Sequence, residues 1–273
     1  MRVLITGASG HIGSVLADRL DERLEIRGLD VREAPSSYRG EFVVGDCADP
    51  VVVTEAVRDM DAVVHLAGIA TEADLPQVLH GHVLGTAALL DAMVRHGVRR
   101  MVLASSNHAV GMTPRPASGE PIQTVTPPRP DTFYGVGKVA AEALLSLYAD
   151  RHGIASVAMR IGSFLERPTS RRNLATWLSY DDCVAMVEAG LVADFEGVVP
   201  IYGISANRDA WWDLDAGRSI GYHPRDDAAA YEHELPHAPE DEAEAQWVGG
   251  PFATGALTRT AFELDDVSEG GGT

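Results

Sequence analysis

The chain has 273 residues, 45% of them hydrophobic, enough for one large domain with a sizeable core. Its formal charge is −18, from 40 acidic and 22 basic residues, a balance that repels nucleic acid and anionic membranes. No run approaches the roughly 18 apolar residues of a membrane span, and the N-terminal MRVLITGASG reaches a glycine turn too early for a signal-peptide core, so a cytoplasmic protein is expected.

In chain order, the apolar run Arg2–Thr6 predicts a buried strand, and Ile12, Val15, Leu16 and Leu20 predict a helix over 12–20. Strands follow at Glu25–Asp30 and Glu41–Val44, a helix at 51–58 and a strand at 62–66. A long helix is predicted over 83–96, a strand at 100–104, a Pro-rich loop over 113–130, a helix over 135–152 and a strand at 155–160. Such alternation predicts an α/β fold, a doubly wound parallel sheet of Rossmann type. Residues 1–160 are expected to form the nucleotide-binding core, with the catalytic helix included. Residues 161–262 are expected to form a small substrate cap interleaved with the last strands. That stretch reads as a loop over 162–175, a helix over 180–189, a strand at 198–202 and a short helix at 215–220. The acidic, Gly-rich tail from 263 to 273 is expected to be disordered. Cys47 and Cys183 are isolated and make neither a disulfide framework nor a zinc pattern, so no metal is expected.

Chemistry gathers at strand ends, where ligands bind on such sheets. Gly7, Gly10 and Gly13 fall in Thr6-Gly7-Ala8-Ser9-Gly10-His11-Ile12-Gly13, between a strand and a helix. Glycines there let the backbone approach a pyrophosphate, and the helix N-terminus supplies free N–H groups. Asp30 ends the second strand at the spacing of a ribose-binding acid and repels a 2′-phosphate, which points to NAD over NADP; Arg32 is close enough to soften that preference. Asp46 and Cys47 end the third strand, where a carboxylate can bond an adenine amino group. Leu66, Ala67 and Gly68 end the fourth, where small residues let the chain pass under the cofactor.

Tyr134 and Lys138 are four apart at a helix start and so share a face. An ammonium beside a phenol favours the phenolate and makes a base near neutral pH. Ser106, just past the fifth strand, is placed to hold a substrate oxygen beside Tyr134. Taken together, the glycine turn, Asp30, Ser106 and Tyr134-x-x-x-Lys138 resemble the extended branch of the short-chain dehydrogenase/reductase superfamily over about residues 1–222. The resemblance implies an NAD-dependent oxidoreductase with Ser106, Tyr134 and Lys138 as its catalytic set. Two positions depart from the pattern. His82 stands where the branch often has asparagine, and either replaces it in holding water or helix backbone or is an inert buried histidine. Gly137 stands where a serine often precedes the lysine.

Finer text, SSNHAVG at 105–111, RIGS at 160–163, Arg172, TWLSYDD at 176–182 and YGISAN at 202–207, is similar to the uronate dehydrogenase family. That resemblance implies oxidation of the anomeric hydroxyl of glucuronate or galacturonate to an aldarolactone, in a homo-oligomer. It places Arg172 on the sugar carboxylate, with Ser163, Asn107 and His108 bonding hydroxyls and the carboxylate. An arginine fork suits a carboxylate; the alternative is a surface arginine in the Arg171-Arg172 pair. Trp211 and Trp212 read as core packing. Ala70 stands where the family has a sugar-contacting serine, so one hydroxyl loses a partner or Thr71 supplies it. Aldose or hexose-6-phosphate oxidation, a nucleotide-sugar epimerase and a non-catalytic NAD sensor are the alternatives.

Overall fold

The structure, a computed structural model, describes residues 1–20, 22–116, 119–255 and 259–262; the expectation for the 263–273 tail lies outside the described residues. The elements follow the predicted alternation: β1 (Arg2–Thr6), α1 (His11–Leu20), β2 (Glu25–Asp30), β3 (Glu41–Val44), α2 (Pro50–Val57) and β4 (Ala62–His65). Then come α3 (Leu75–Val78), a π segment (Leu79–Leu84), α4 (Gly85–His96), β5 (Arg100–Ser106), α5 (Phe133–His152) and β6 (Ala155–Ile161). The remainder holds β7 (Ser163–Phe164), α6 (Asn173–Thr176), β8 (Trp177–Leu178), α7 (Tyr180–Val192), β9 (Val198–Gly203) and α8 (Asp215–Ser219).

Among the described residues, the main sheet has seven strands in the order β3-β2-β1-β4-β5-β6-β9, every pairing parallel. Alternation along each strand feeds two cores. Val3, Ile5, Val64 and Val157 meet Leu16 and Leu20 of α1 and Met186 and Val187 of α7 on one face. Leu4, Leu29, Val63 and Met101 meet Val53 of α2, Leu89 and Met93 of α4 and Leu145 of α5 on the other. Both faces are therefore covered, as an all-parallel sheet requires. The order reverses between β1 and β4, which opens a crevice beyond the carboxyl ends of the strands.

Two predicted boundaries shift. The helix expected from 83 begins at Leu75, capped by Asp74, whose carboxylate accepts from the Gln77 N–H, with Pro76 in the first turn. The π segment then inserts extra chain before α4, which breaks the 3.6-residue spacing and hides the start. The helix expected from 135 begins at Phe133, because Thr132 caps it through the Gly135 N–H and Glu72 accepts the N–H groups of Phe133 and Tyr134 at 3.1 and 2.9 Å. The stretch read as a loop over 162–175 contains β7 and α6; β7 pairs with β8 as a separate two-stranded sheet. Trp211 and Trp212 pack with Tyr202, Ile204 and Val248 in a third core cluster, as the sequence suggested.

Arg160, from the RIGS text, is structural. Its guanidinium makes a forked pair with Glu142 of α5, 3.0 Å from Nε and 2.8 Å from Nη2, both side chains nearly buried. Removing one partner strands a buried charge, so Glu142→Ala should cost about 3–5 kcal/mol in urea unfolding. A loss under about 1 kcal/mol would mean that solvent reaches Arg160 in the native state.

Candidate active site

A cleft of about 1110 Å³ runs across the strand ends. Its first half is lined by Gly7, Gly10, His11, Ile12, Gly13, Asp30, Asp46 and Cys47 from the ends of β1, β2 and β3. Gly7 has φ +69, and a Cβ there would lie 2.8 Å from the Ala67 nitrogen; a Cβ on Gly13 would lie 2.3 Å from the Gly7 oxygen. Strand, turn and helix thus meet as closely as main chain permits, and the N-terminus of α1 is left facing the cleft. Asp30 is held by two main-chain N–H groups, Ser9 to Oδ2 and Arg32 to Oδ1, both at 3.0 Å. Ser9 is not part of the cleft lining; its contribution is to orient Asp30, and its hydroxyl bonds the Glu33 carbonyl. The Asp46 carboxyl is held below its ordinary range, first by the Ala48 N–H and then by His80, 2.8 Å away. Burial pushes the Cys47 thiol up to about 12, so it stays a neutral wall group.

The other half is lined by Leu66, Ala67, Gly68, Ala70 and Thr71 after β4, Ser106 at the end of β5 and His108 just past it, Ser163 and Phe164 after β6, and Tyr134 and Lys138 from α5. Lys138 donates from Nζ to the Ala104 carbonyl at 2.7 Å, with Nζ 5.4 Å from the centre of the Tyr134 ring. Burial pushes the Lys138 ammonium down to about 8, with Glu142 opposing. Burial also raises the Tyr134 phenol, against a hydrogen bond to Ser106 that lowers it; the nearby Asp131 carboxylate adds to the rise. His82 is buried against Tyr134, ring centres 5.4 Å apart, and its Nε2 lies 3.0 Å from the Ile69 carbonyl. Burial, then Lys138, pushes its imidazole down to about 3, so it is neutral and Nε2 carries the hydrogen. His82 therefore ties the loop after β4 to the π segment beside the tyrosine.

Asn107 and Arg172 stand outside the lining and converge on one atom, the Val248 carbonyl oxygen, at 3.4 Å from Asn107 Nδ2 and 2.6 Å from Arg172 Nη2. Arg172 Nη1 is buried with no hydrogen-bond partner among the described residues, and burial pushes the guanidinium down to about 10. Ser163 reaches the same neighbourhood through Thr176, whose hydroxyl lies 2.8 Å from Ser163 Oγ and donates to the Arg172 carbonyl. Three residues were missed in the sequence. Phe252 lines the cleft and packs on His108, ring centres 4.5 Å apart. Glu72 anchors the start of α5, and Asp131 lies 2.8 Å from His108 Nδ1. The GGPF text at 249–252 was the available signal for Phe252; the two acids read as ordinary loop residues.

Residues 3–173 match the model of the NAD dependent epimerase/dehydratase family. The chain belongs to that family. It is 36% identical over 258 residues to a uronate dehydrogenase of Pseudomonas putida, covering 92% of this chain and 95% of the relative. A solved structure of a uronate dehydrogenase from Agrobacterium tumefaciens, a tyrosine-to-alanine variant complexed with NAD, superposes with a TM-score of 0.88 at 35% identity, covering 96% of this chain and 99% of that one. An NAD-dependent glucose-6-phosphate dehydrogenase of Haloferax volcanii is 36% identical over 262 residues, 88% of this chain and 98% of its own. No helix among the described residues is long and apolar enough to cross a membrane.

The residues present fit NAD: the glycine turn would take a pyrophosphate and Asp30 the ribose hydroxyls. Asp30→Ala should narrow the preference for NAD over NADP by at least about tenfold in kcat/KM, because Arg32 is then released from its carboxylate to meet a 2′-phosphate. An unchanged ratio would mean that Asp30 does not face the ribose.

Proposed function

We propose that the protein oxidises the anomeric hydroxyl of a hexuronate, glucuronate or galacturonate, to the aldarolactone. What carries this reading is Arg172, a buried guanidinium with Nη1 unpartnered among the described residues, joined through Val248 and Asn107 to Ser106 beside Tyr134. A carboxylate entering beside Ser163 would supply the partner that Nη1 lacks. NAD, when bound in the first half of the cleft, would supply the hydride acceptor.

The chain's own residues handle the proton. Ser106 holds the anomeric oxygen by its hydroxyl, and Tyr134 Oη takes the proton as base. Lys138 keeps a positive charge near the phenol and so favours the phenolate. His108 and Asn107 orient sugar hydroxyls, with Thr71 beside Ala70 to bond the one that Ala70 cannot. Phe252 covers the sugar and keeps water off. The segment after β6 adds Ser163, Arg172 and Phe252 to this substrate side, while residues 1–160 hold the cofactor and supply Thr71, Ser106, Asn107, His108 and Tyr134.

Lys138 is charged below about pH 8 and loses its proton above it. kcat/KM should therefore fall on the alkaline side as the ammonium is lost, an apparent value that belongs to the Tyr134–Lys138 pair. Lys138→Met should remove that alkaline limb and lower activity at every pH; a limb that persists belongs to another group.

We also place the protein in the cytoplasm as a homo-oligomer. Leu84 at the start of α4, Val94 within it, and Val136 and Leu147 on α5 are exposed apolar side chains that a second copy would cover, to be checked by light scattering. The substrate reading is tested by NAD reduction with glucuronate, galacturonate, glucose and glucose 6-phosphate. Preference for a uronate by at least about tenfold is expected. Preference for glucose 6-phosphate would put a phosphate at Arg172 instead, as the Haloferax relative's name suggests.

A further inference from the structure

Asp131 lies three residues before Tyr134, and its side chain is fully enclosed. Its Oδ2 is 2.8 Å from His108 Nδ1, and its Oδ1 accepts the Thr132 hydroxyl at 3.0 Å. The surrounding main chain yields to it: a Cβ on Gly111 or Gly249 would lie 2.0 or 1.8 Å from Oδ2. Asp131 is not the cap of α5, since Thr132 performs that role. Its carboxylate is aimed at His108, which lines the cleft with its ring 5.8 Å from Tyr134 and 4.5 Å from Phe252.

A carboxylate only accepts hydrogen bonds, so the hydrogen in this pair sits on Nδ1. In a neutral imidazole that leaves a lone pair on Nε2, which makes no hydrogen bond among the described residues. We propose that Asp131 is a positioning residue which, through His108, fixes the Nδ1–H tautomer, so that Nε2 accepts a hydrogen bond from a hydroxyl of the sugar beside Tyr134. This rests on the sugar placement proposed above. A ring without this tether rotates and populates both tautomers, and the sugar then loses one of the bonds that hold it in the reactive pose.

The nitrogen-15 spectrum of the wild-type protein with NAD reads the tautomer directly, with His108 assigned by its absence from His108→Gln. Protonated Nδ1 and unprotonated Nε2 are expected. A hydrogen on Nε2, in the other tautomer or in a doubly protonated ring, overturns the proposal. A double-mutant cycle then reads the function. Asp131→Asn should lower kcat/KM by about 10–100-fold, the effect that removing the outer partner of an oriented histidine has at metal sites, with the Kd for NAD unchanged. In the His108→Gln background the same substitution should change kcat/KM by less than about twofold. Equal losses in both backgrounds overturn the proposal and leave Asp131 a packing residue for Gly111 and Gly249. If Asp131→Asn does not fold, the wild-type spectrum still decides. If uronates are not oxidised, the cycle is run on whichever sugar of the panel is, so that failure of the substrate reading stays separate from failure of this one.

Discussion

Tyr134→Phe is expected to lower kcat by about 10²–10⁴-fold while NAD still binds, because the ring stays and only the proton-accepting oxygen goes. The ring packs between His82 and His108, so the variant should fold normally. Burial raises the phenol in the free protein against the hydrogen bond to Ser106, and the role proposed for Lys138, whose Nζ donates to the Ala104 carbonyl, is to favour the ionised form by its charge. The pair is therefore expected to act as a unit. Tyr134→Phe combined with Lys138→Met should be little worse than Tyr134→Phe alone. A Phe variant within about tenfold of wild type would move the base to another residue.

The second large effect is at Arg172. If it grips the uronate carboxylate, Arg172→Ala leaves that charge partly desolvated without a partner, a cost of about 2–5 kcal/mol. At about 1.4 kcal/mol per decade, kcat/KM for uronates should fall by roughly 30-fold to several thousand-fold. Arg172→Lys should restore only part, since a point charge cannot reproduce the fork. Any residual activity on glucose, which has no carboxylate, should change little, and this difference between substrates separates a lost contact from a disturbed fold. The separation matters because Arg172 Nη2 also holds the Val248 carbonyl, on the segment that carries Phe252 into the cleft. Equal losses on both substrates would make Arg172 the anchor of that segment and nothing more.

Much of this was legible in residue order because the signals were local. Apolar runs ending in Gly7, Asp30, Asp46 and Gly68 announce parallel strands whose tips meet at a crevice, and the structure brings those tips together. Tyr134 and Lys138 share a helix face by spacing alone. What was hidden depends on long-range contact or on broken periodicity. The π segment at Leu79–Leu84 interrupts the helical spacing, so eight residues of helical chain before residue 83 read as loop. Glu72 and Asp131 look like solvated loop acids until folding sets one on the N–H groups of α5 and the other on His108. Phe252 reaches the cleft because the Val248 and Gly249 N–H groups pair with the Thr113 and Gly111 carbonyls, a register that no local pattern encodes. Arg172, read from the sequence as the fork for a sugar carboxylate, lies outside the cleft lining with its Nη2 on the carbonyl of Val248 in that same segment, a placement no local pattern encodes.

The central claim is that Tyr134 takes a proton from the anomeric hydroxyl of a uronate while hydride leaves C1 for NAD. Glucuronate carrying deuterium at C1 tests it most directly, with the product and the reduced cofactor examined by NMR. The account predicts that deuterium is transferred to the nicotinamide ring, that the sugar product is the aldarolactone, and that both signals vanish together in Tyr134→Phe. Unlabelled NADH, or a deuterated uronate returned unchanged while a neutral or phosphorylated sugar is oxidised, would contradict it.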